Sequence, residues 1–386
     1  MLRNYDVCIC GGGIAGVAAA LASARNGAKT CLLEKEYALG GLATLGLIVI
    51  YLPLDDGDGY LMSGGIAKEL LELSWKYAPV KRMPEEWKRE ASPEERAGKR
   101  FQTEYSPAAM TLACEELLLN EGVTIYYDAR ITDVCSEYGK IRSVTVAGKR
   151  GPEVFSAKAF VDCTGDADVC YFGGETTWDE AKNVKTGWNY TYNGKDLKLH
   201  GLSDPLYGQL PEGARYYNGT TLEDISANVI DGRKMILKKL KDIQAEDPEA
   251  YPFLIPSYHG LRMTRRYKAQ GIEFDSEQHE RVWFADAIGM IGDWTALHHR
   301  FSLPYSSIHC TKNDNLYAAG RCSAAVNKGW NLTRVIPSCS VTGEAAGTAA
   351  AMQAISGKAP EIGELQDTLK AAGVLLQPEL FTGRIG

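Results

Sequence analysis

The sequence predicts an α/β fold in which a Rossmann-like nucleotide-binding domain is built from both ends of the chain and an α+β domain is inserted between them. A strand, a glycine turn, a helix and a second strand occupy residues 5–34, and a buried strand followed by a small-residue helix lies at 315–351. Residues 167–310 do not repeat the βαβ pattern. We therefore expect a cofactor domain at 1–166 plus 311–386, with an excursion at about 74–103, and a substrate or cap domain at 167–310.

Composition and charge exclude several classes of protein. Apolar residues make up 45% of the 386 residues and charged residues 24%, which is typical of a folded globular chain. The net charge of −7, without a long basic run, argues against a nucleic acid partner. The most apolar stretch, residues 42–54, is shorter than the ~20 residues of a membrane-spanning helix, and we interpret it as buried chain. We expect a cytoplasmic protein with no membrane partner, and the sequence carries no signature of its oligomeric state.

The ten cysteines are scattered and are not preceded by a secretory signal. No C-x-x-C pair or Cys/His cluster has the spacing of a zinc or iron–sulfur site, so no metal is expected. Cys8 and Cys10 alternate along one strand and face the same way, as small buried core residues would. Reduced thiols are therefore expected.

The first strand, residues 5–10, runs into a turn with the pattern G-x-G-x-x-G. Gly11 permits the tight turn, Gly13 lets the backbone approach a pyrophosphate, and Gly16 lets the following helix pack close to the strand. The helix continues to Asn26, and its N-terminus would face the phosphates. The second strand ends at Glu34, where a carboxylate can accept hydrogen bonds from ribose hydroxyls and repel a 2′-phosphate. The unit favours FAD or NAD over NADP.

Two further segments favour FAD over NAD. A second glycine-rich turn follows at 38–46, where the chain would pass from the nucleotide to the flavin. A buried strand at 315–319 stops at Gly320, and a small-residue helix opens at Ile336 and runs through Gly343 and Gly347. Its N-terminus can approach the pyrophosphate or the flavin pyrimidine ring.

This arrangement resembles the FAD-dependent oxidoreductases of the glutathione-reductase-like fold, and more narrowly a large family of FAD-dependent bacterial oxidoreductases. The resemblance covers nearly the whole chain. It is carried by the motifs at 40–44, 122–131, 161–168, 260–266, 304–305, 320–321, 334–337 and 343–347, and by a closing helix at 365–374. It implies a three-layer ββα FAD-binding domain and one flavin site built from both ends of the chain.

The resemblance also implies individual roles. The backbone of Ile131 would meet the adenine, Thr164 and Gly165 would turn beside the pyrophosphate, and Gly320 with Arg321 would lie near the ribityl chain. The usual flavoprotein pattern at that last site is Gly-Asp, so Gly-Arg leaves the side-chain contact open. The complete set of expected cofactor-binding residues is Gly11, Gly13, Ile14, Ala15, Gly16, Glu34, Lys35, Gly40, Gly41, Thr44, Arg130, Ile131, Thr164, Gly165, Gly320, Arg321, Arg334, Pro337 and Gly343.

The motifs that the sequence lacks limit the reactions that the protein could catalyse. A single dinucleotide fingerprint argues against a separate NAD(P)H domain, and the lack of a closely spaced cysteine pair argues against thiol–disulfide exchange. Hydride transfer between flavin N5 and a small polar organic substrate, a carboxylate or a sugar derivative, is the reaction that remains.

Residues able to bind a carboxylate or move a proton cluster in two segments. The candidates are Arg262, His299, Arg265, Tyr305 and His259, with Tyr258, Arg266 and His298 beside them. We expect Arg262 and His299 to line the substrate face of the flavin. For each arginine the alternative is a structural ion pair or a pyrophosphate contact, and for His298 and His299 it is a loop without catalytic duty.

Two other functions remain open from the sequence. An NAD-dependent dehydrogenase shares the first βαβ unit but does not need a second cofactor segment after residue 315. A flavin-fold protein could also hold FAD structurally, without redox turnover.

Overall fold

A computed structural model describes residues 2–78, 83–179, 187–201, 215–257 and 265–385. Its helices are α1 Ile14–Arg25, α2 Gly65–Leu73, α3 Pro93–Arg96, α4 Pro107–Asn120, α5 Asp168–Phe172, α6 Leu222–Glu246, α7 Gly329–Thr333, α8 Ile336–Ser356 and α9 Ile362–Ala371. Its strands are β1 Leu2–Cys10, β2 Thr30–Leu33, β3 Ile50–Tyr51, β4 Thr103–Glu104, β5 Thr124–Tyr126, β6 Arg130–Glu137, β7 Lys140–Gly148, β8 Gly151–Asp162, β9 Thr177–Asp179, β10 Trp188–Tyr192, β11 Leu197–Gly201, β12 Tyr251–Leu254, β13 Arg265–Tyr267, β14 Val282–Phe284, β15 Ala287–Gly292, β16 Arg300–Pro304, β17 Leu316–Ala318 and β18 Gly383–Ile385.

A parallel sheet of five strands, in the order β5-β2-β1-β8-β17, forms the centre of the fold. Cys10 at the end of β1 is level with Leu33 on one side and with Asp162 on the other. The carboxyl ends of strands from both termini of the chain therefore meet at one edge of the sheet. Ligands of open α/β sheets bind outside this edge, and the expected α/β class with a Rossmann-like sheet is confirmed.

An antiparallel meander of β6, β7 and the first half of β8 forms a second layer. A buried apolar cluster lies between it and the parallel sheet, and includes Cys8, Cys10, Val144 and Phe155. Cys8 and Cys10 are fully buried free thiols, as predicted. Nine of the ten cysteines are buried, and Cys135 is exposed.

Helices α1 and α8 form the third layer and pack closely because both carry small residues. A Cβ on Gly343 would lie 2.3 Å from the carbonyl oxygen of Ala15, and one on Gly347 would lie 2.1 Å from that of Ala19. The two backbones can approach this closely only without those side chains. The N-terminal fingerprint helix and the C-terminal helix therefore lie directly against each other, which brings the two ends of the chain together.

The region between β8 and β17 holds small sheets and one long helix. Strands β11, β10 and β12 form a three-stranded antiparallel sheet, β9 pairs with β13, and β15 pairs with β16. Helix α6 is 25 residues long and begins after Thr221, whose side chain accepts a hydrogen bond from the N–H of Asp224. The boundaries of the cofactor and substrate domains stay predictions. No helix among the described residues is both long and apolar enough to cross a membrane.

Candidate functional site

The three fingerprint glycines have different surroundings. Gly11 has a φ of +107°, and a Cβ there would lie 2.3 Å from the carbonyl oxygen of Cys163. A Cβ on Gly16 would lie 1.8 Å from the carbonyl oxygen of Gly11. A Cβ on Gly13, by contrast, would meet no protein atom within 4 Å, and its φ of −64° suits any residue. The fold requires Gly11 and Gly16, whereas the space beside Gly13 is left open for a ligand.

The N-terminus of α1 opens at this point. Gly13 is the residue before the helix and offers no capping side chain, and the N–H of Val17 is the donor to its carbonyl. The N–H groups of Ile14, Ala15 and Gly16 therefore precede the first hydrogen bond inside the helix. Such groups, together with the positive end of the helix dipole, bind phosphate. The open space beside Gly13 and these donors fit the pyrophosphate of a dinucleotide.

Glu34 follows the end of β2 and is almost fully buried. Its Oε2 accepts a hydrogen bond from the N–H of Gly12 at 2.6 Å, and its Oε1 accepts one from the N–H of Glu36 at 2.8 Å. Burial raises the pKa of this carboxyl, and the two backbone donors oppose that rise. The carboxylate is held in one orientation at the wall of the cleft, where ribose hydroxyls can reach its remaining lone pairs.

The same edge of the sheet opens into one large cleft with a volume of about 420 Å³. Fourteen of the expected cofactor-binding residues line it, namely Gly11, Gly13, Ile14, Ala15, Glu34, Lys35, Gly40, Gly41, Arg130, Ile131, Thr164, Gly165, Arg321 and Arg334. Residues from both ends of the chain therefore converge on one cavity. Their individual contacts with the cofactor stay predictions.

The other five expected cofactor residues do not line the cleft and have structural contacts instead. The Thr44 hydroxyl donates to the carbonyl of Leu39, Gly320 has a φ of +69°, and Gly343 packs against α1. Gly16 also packs inside the fold, and Pro337 lies in the first turn of α8. The end of that helix nearest the cleft is Ile336, so Gly343 lies about two turns inside the helix.

Arg321 occupies the position at which flavoproteins usually carry Asp. One guanidinium nitrogen lies 3.9 Å from the Asp166 carboxylate, and the guanidinium covers the backbone of Gly165. The turn beneath it is held by buried Asp162, which accepts hydrogen bonds from the Thr164 hydroxyl at 2.7 Å and its N–H at 3.0 Å. A cation held over this turn faces the part of the cleft next to the α1 N-terminus, where a pyrophosphate would bring negative charge.

The start of α8 forms another part of the cleft wall. Val335 and Ile336 line it, and Arg334 lies just before them with its guanidinium 5.1 Å from the centre of the Trp330 ring. The helix dipole and the arginine place positive potential at this part of the wall. An electronegative edge of a ligand, such as the flavin pyrimidine, is favoured there.

The sequence analysis did not identify the apolar part of the cleft. Its lining residues come from the chain after the second glycine turn and from the inserted region, and they are Leu42, Ala43, Ile48, Val49, Ile50, Leu52, Trp188, Gly219, Ile225, Asn228, Val229 and Trp294. The run at 42–54 was interpreted only as buried chain, although its place after the glycine turn was a signal. The inserted residues carry no local motif that could have identified them.

The expected catalytic residues that the structure describes do not line the cleft. Arg265 pairs with Asp168, donates to the carbonyl of Asp166 and lies 4.2 Å above the ring of Tyr171, so it contacts two residues that line the cleft without lining it itself. His299 is 2.7 Å from Glu280 and more than one third exposed.

Tyr305 is stacked 5.1 Å from His309, and burial raises its pKa to about 12. Arg262 and His259 lie outside the described residues, as does Tyr258. The expectation that Arg262 and His299 line the substrate face of the flavin therefore stays a prediction.

Comparison with known proteins agrees with this geometry. The model of the family described as FAD dependent oxidoreductase matches residues 6–187 and 175–369. No curated protein matches the chain.

Several solved structures are similar to this one. One is a geranylgeranyl bacteriochlorophyll reductase-like protein from Thermoplasma acidophilum, which is 13% identical with a TM-score of 0.51 over 96% of this chain and 83% of that chain. Another is Sdh1 from Mycobacterium smegmatis, at 13% identity and a TM-score of 0.49 over 96% and 72%. A third is OxyS anhydrotetracycline hydroxylase from Streptomyces rimosus, at 14% identity and a TM-score of 0.45 over 96% and 66%. At these identities the likeness concerns the fold alone.

The match over nearly the whole chain confirms the expected cofactor, FAD, and this protein belongs to the FAD dependent oxidoreductase family of enzymes.

Proposed function

We propose that this enzyme transfers a hydride between N5 of FAD and an organic substrate bound in the same cleft. The observation that carries the proposal is the continuity of the cavity. It runs from Gly13 and Glu34, which are expected to hold the dinucleotide, to a wall formed by Trp188 and Asn228 of the inserted region. A cofactor at one end and a substrate at the other would therefore share one water-poor space.

The protein's own groups divide the task of holding the cofactor. The α1 N-terminus beside Gly13 would bind the pyrophosphate, Glu34 would bind the ribose, and Arg321 would neutralise phosphate charge. The positive end of α8 near Ile336 would favour electron density at the flavin pyrimidine. FAD, when bound, supplies a two-electron acceptor or donor at N5.

Two cysteines also line the cleft but do not support thiol chemistry. Cys163 and Cys339 are both buried, and burial raises the pKa of the Cys339 thiol to about 12 and that of Cys163 well above its usual value. Attack on a disulfide requires a thiolate, which is scarce at neutral pH under these conditions. An organic substrate is therefore favoured over a disulfide.

The test is rapid-mixing spectroscopy of the purified holoenzyme under anaerobic conditions. The flavin absorption bands should bleach on mixing with a reduced substrate, or return when the reduced enzyme meets an oxidised one. Deuterium at the transferred position should slow the change. A flavin that is bound but never bleaches or reoxidises with any substrate would instead indicate the structural role left open by the sequence.

A further inference from the structure

We propose that the substrate is an uncharged, mainly apolar molecule with one carbonyl or hydroxyl oxygen, and that the side-chain amide of Asn228 hydrogen-bonds to that oxygen. This inference rests on the proposed function, because it places the substrate in the part of the cleft that the dinucleotide residues do not line. It differs from the small polar substrate predicted from the sequence.

The substrate side of the cleft is apolar. The side chains of Trp188, Trp294, Ile50, Leu52, Ile225 and Val229 line it. The indole N–H of Trp294 donates to the carbonyl of Asn331 at 3.0 Å, so its ring is left to present an apolar surface. A charged substrate placed against this wall would lose hydration without gaining a partner.

The charged side chains of the cleft lie on other elements. Among the described residues that line it, they are Glu34, Lys35, Glu36, Arg130, Asp166, Asp168, Arg321 and Arg334. The first six follow the ends of parallel strands, where the dinucleotide is expected. Arg321 follows β17, and Arg334 lies between α7 and α8. None belongs to α6, β10 or the β3 segment.

The apolar wall lies next to the segment that is expected to lead from the nucleotide to the flavin. Strand β3 follows the second glycine turn, and its Ile50 is paired with Glu104 of β4. Tyr190 of β10 lies beside Glu104, whose charge adds to the effect of burial in raising the pKa of that tyrosine. Trp188 is two residues away on the same face of β10. The inserted sheet therefore approaches the cleft next to the segment that leads from the nucleotide to the flavin.

Asn228 is the exception in this wall. On α6, Asn228 follows Ile225 by three residues and Val229 follows Ile225 by four, so both side chains lie on the same side of the helix as Ile225. Its side chain is 1% exposed, and its amide nitrogen has no hydrogen-bond partner within the described part of the chain. Burying an amide without a partner is costly, and such groups in native proteins normally have one. Because Asn228 is one of the residues that line the cleft, we infer that a substrate oxygen is the partner of this buried donor.

The experiment uses the holoenzyme and a matched pair of probes, 1-tetralone and tetralin, which share a skeleton and differ in one carbonyl oxygen. Malate serves as a small polar acid. Binding is measured by perturbation of the flavin absorption bands and by the shift in Tm. The wild-type protein should bind 1-tetralone about tenfold more tightly than tetralin, the value of one neutral buried hydrogen bond, and should show no competition by malate.

Two variants test the amide itself. Asn228→Leu and Asn228→Ala both lack the N–H donors and should bind the two probes equally. Ser226→Ala, on the exposed face of the same helix, should keep the tenfold preference. The Ala variant also guards against a folding defect in the Leu variant, because its smaller side chain cannot clash with its neighbours.

The outcomes separate this inference from the proposed function. A tenfold preference that survives in both Asn228 variants would overturn the role of the amide, and binding of malate without either bicyclic probe would overturn the substrate class. The flavin content is measured first from the visible spectrum. A protein without flavin bands whose Tm still rises preferentially with 1-tetralone would contradict the proposed function and leave the Asn228 site standing.

Discussion

Replacing Gly13 with alanine should abolish tight cofactor binding without unfolding the protein. A Cβ at this position meets no protein atom within 4 Å, and the φ of −64° is one that alanine adopts freely. The methyl group would point into the space beside the α1 N-terminus, which the structure leaves open for a phosphate. The new methyl group would therefore occupy space expected for the ligand and would not clash with any protein atom.

The magnitudes follow from these contacts. For folding, alanine is a poorer residue than glycine before a helix, but it restricts the unfolded chain more, and these opposing effects are each about 1 kcal/mol or less. The free energy of unfolding of the apoprotein should thus change by less than about 1 kcal/mol. For binding, retreat of the pyrophosphate would lose one or two charge-assisted hydrogen bonds, about 2–4 kcal/mol, which raises the Kd roughly 30- to 700-fold.

The assay compares two quantities in the same preparations. Urea unfolding of the apoprotein gives the stability, and titration with FAD, followed by the change in flavin fluorescence, gives the Kd. Gly363→Ala is the matched control, because its Cβ also meets nothing within 4 Å but lies in α9, away from the cleft. Unchanged FAD affinity in Gly13→Ala, or a loss of several kcal/mol of apoprotein stability, would show that the open space beside Gly13 is not the cofactor's.

Three other outcomes are expected. Gly347→Ala places a methyl group 2.1 Å from the carbonyl oxygen of Ala19, so α1 and α8 should be forced apart. The free energy of unfolding measured in urea should then fall by about 2 kcal/mol or more. An unchanged unfolding midpoint would contradict the close packing. Burial raises the pKa of Glu344 to about 8 from 4.5, although the N–H of Ile66 donates to it. Between these two pKa values the folded state holds a proton that the unfolded state has released. The stability that this carboxyl contributes is therefore complete below pH 4.5 and is lost as the pH rises towards 8. The loss is at most about 5 kcal/mol. Glu344→Gln should flatten this decline in urea midpoints measured across that range, and equal slopes in both proteins would count against it. The Cys339 thiol, with a pKa of about 12, should react with thiol reagents far more slowly than the exposed cysteine does, and rapid labelling in a peptide map would refute that burial.

Much of the cofactor site could be predicted because its determinants are local. Gly11, Gly13 and Gly16 lie within six residues of each other, and Glu34 closes the same βαβ unit, so the spacing in sequence is nearly the spacing in space. The helix at Ile336 was likewise visible from its run of small residues. These patterns predicted the fold class and FAD, both of which the family match confirms.

The substrate side could not be predicted, since residue type does not reveal which charged groups are already paired. Arg265 and His299 were chosen for their chemistry, but in the folded chain they lie against Asp168 and Glu280. Conversely, an asparagine on a long helix carries no motif, and Asn228 becomes notable only because folding buries its amide at the wall of the cleft.

The sequence by itself thus determined the class of fold, because the short-range backbone geometry of the glycine turn dictates it, and it determined the cofactor through the further segments and the family resemblance. Only the tertiary structure decided that α8 packs on α1, that the β3 segment and the inserted sheet share one wall, and that the cleft is apolar on that side. Those properties arise from contacts between segments more than 100 residues apart, and burial and pairing there depend on the whole chain rather than on any local pattern.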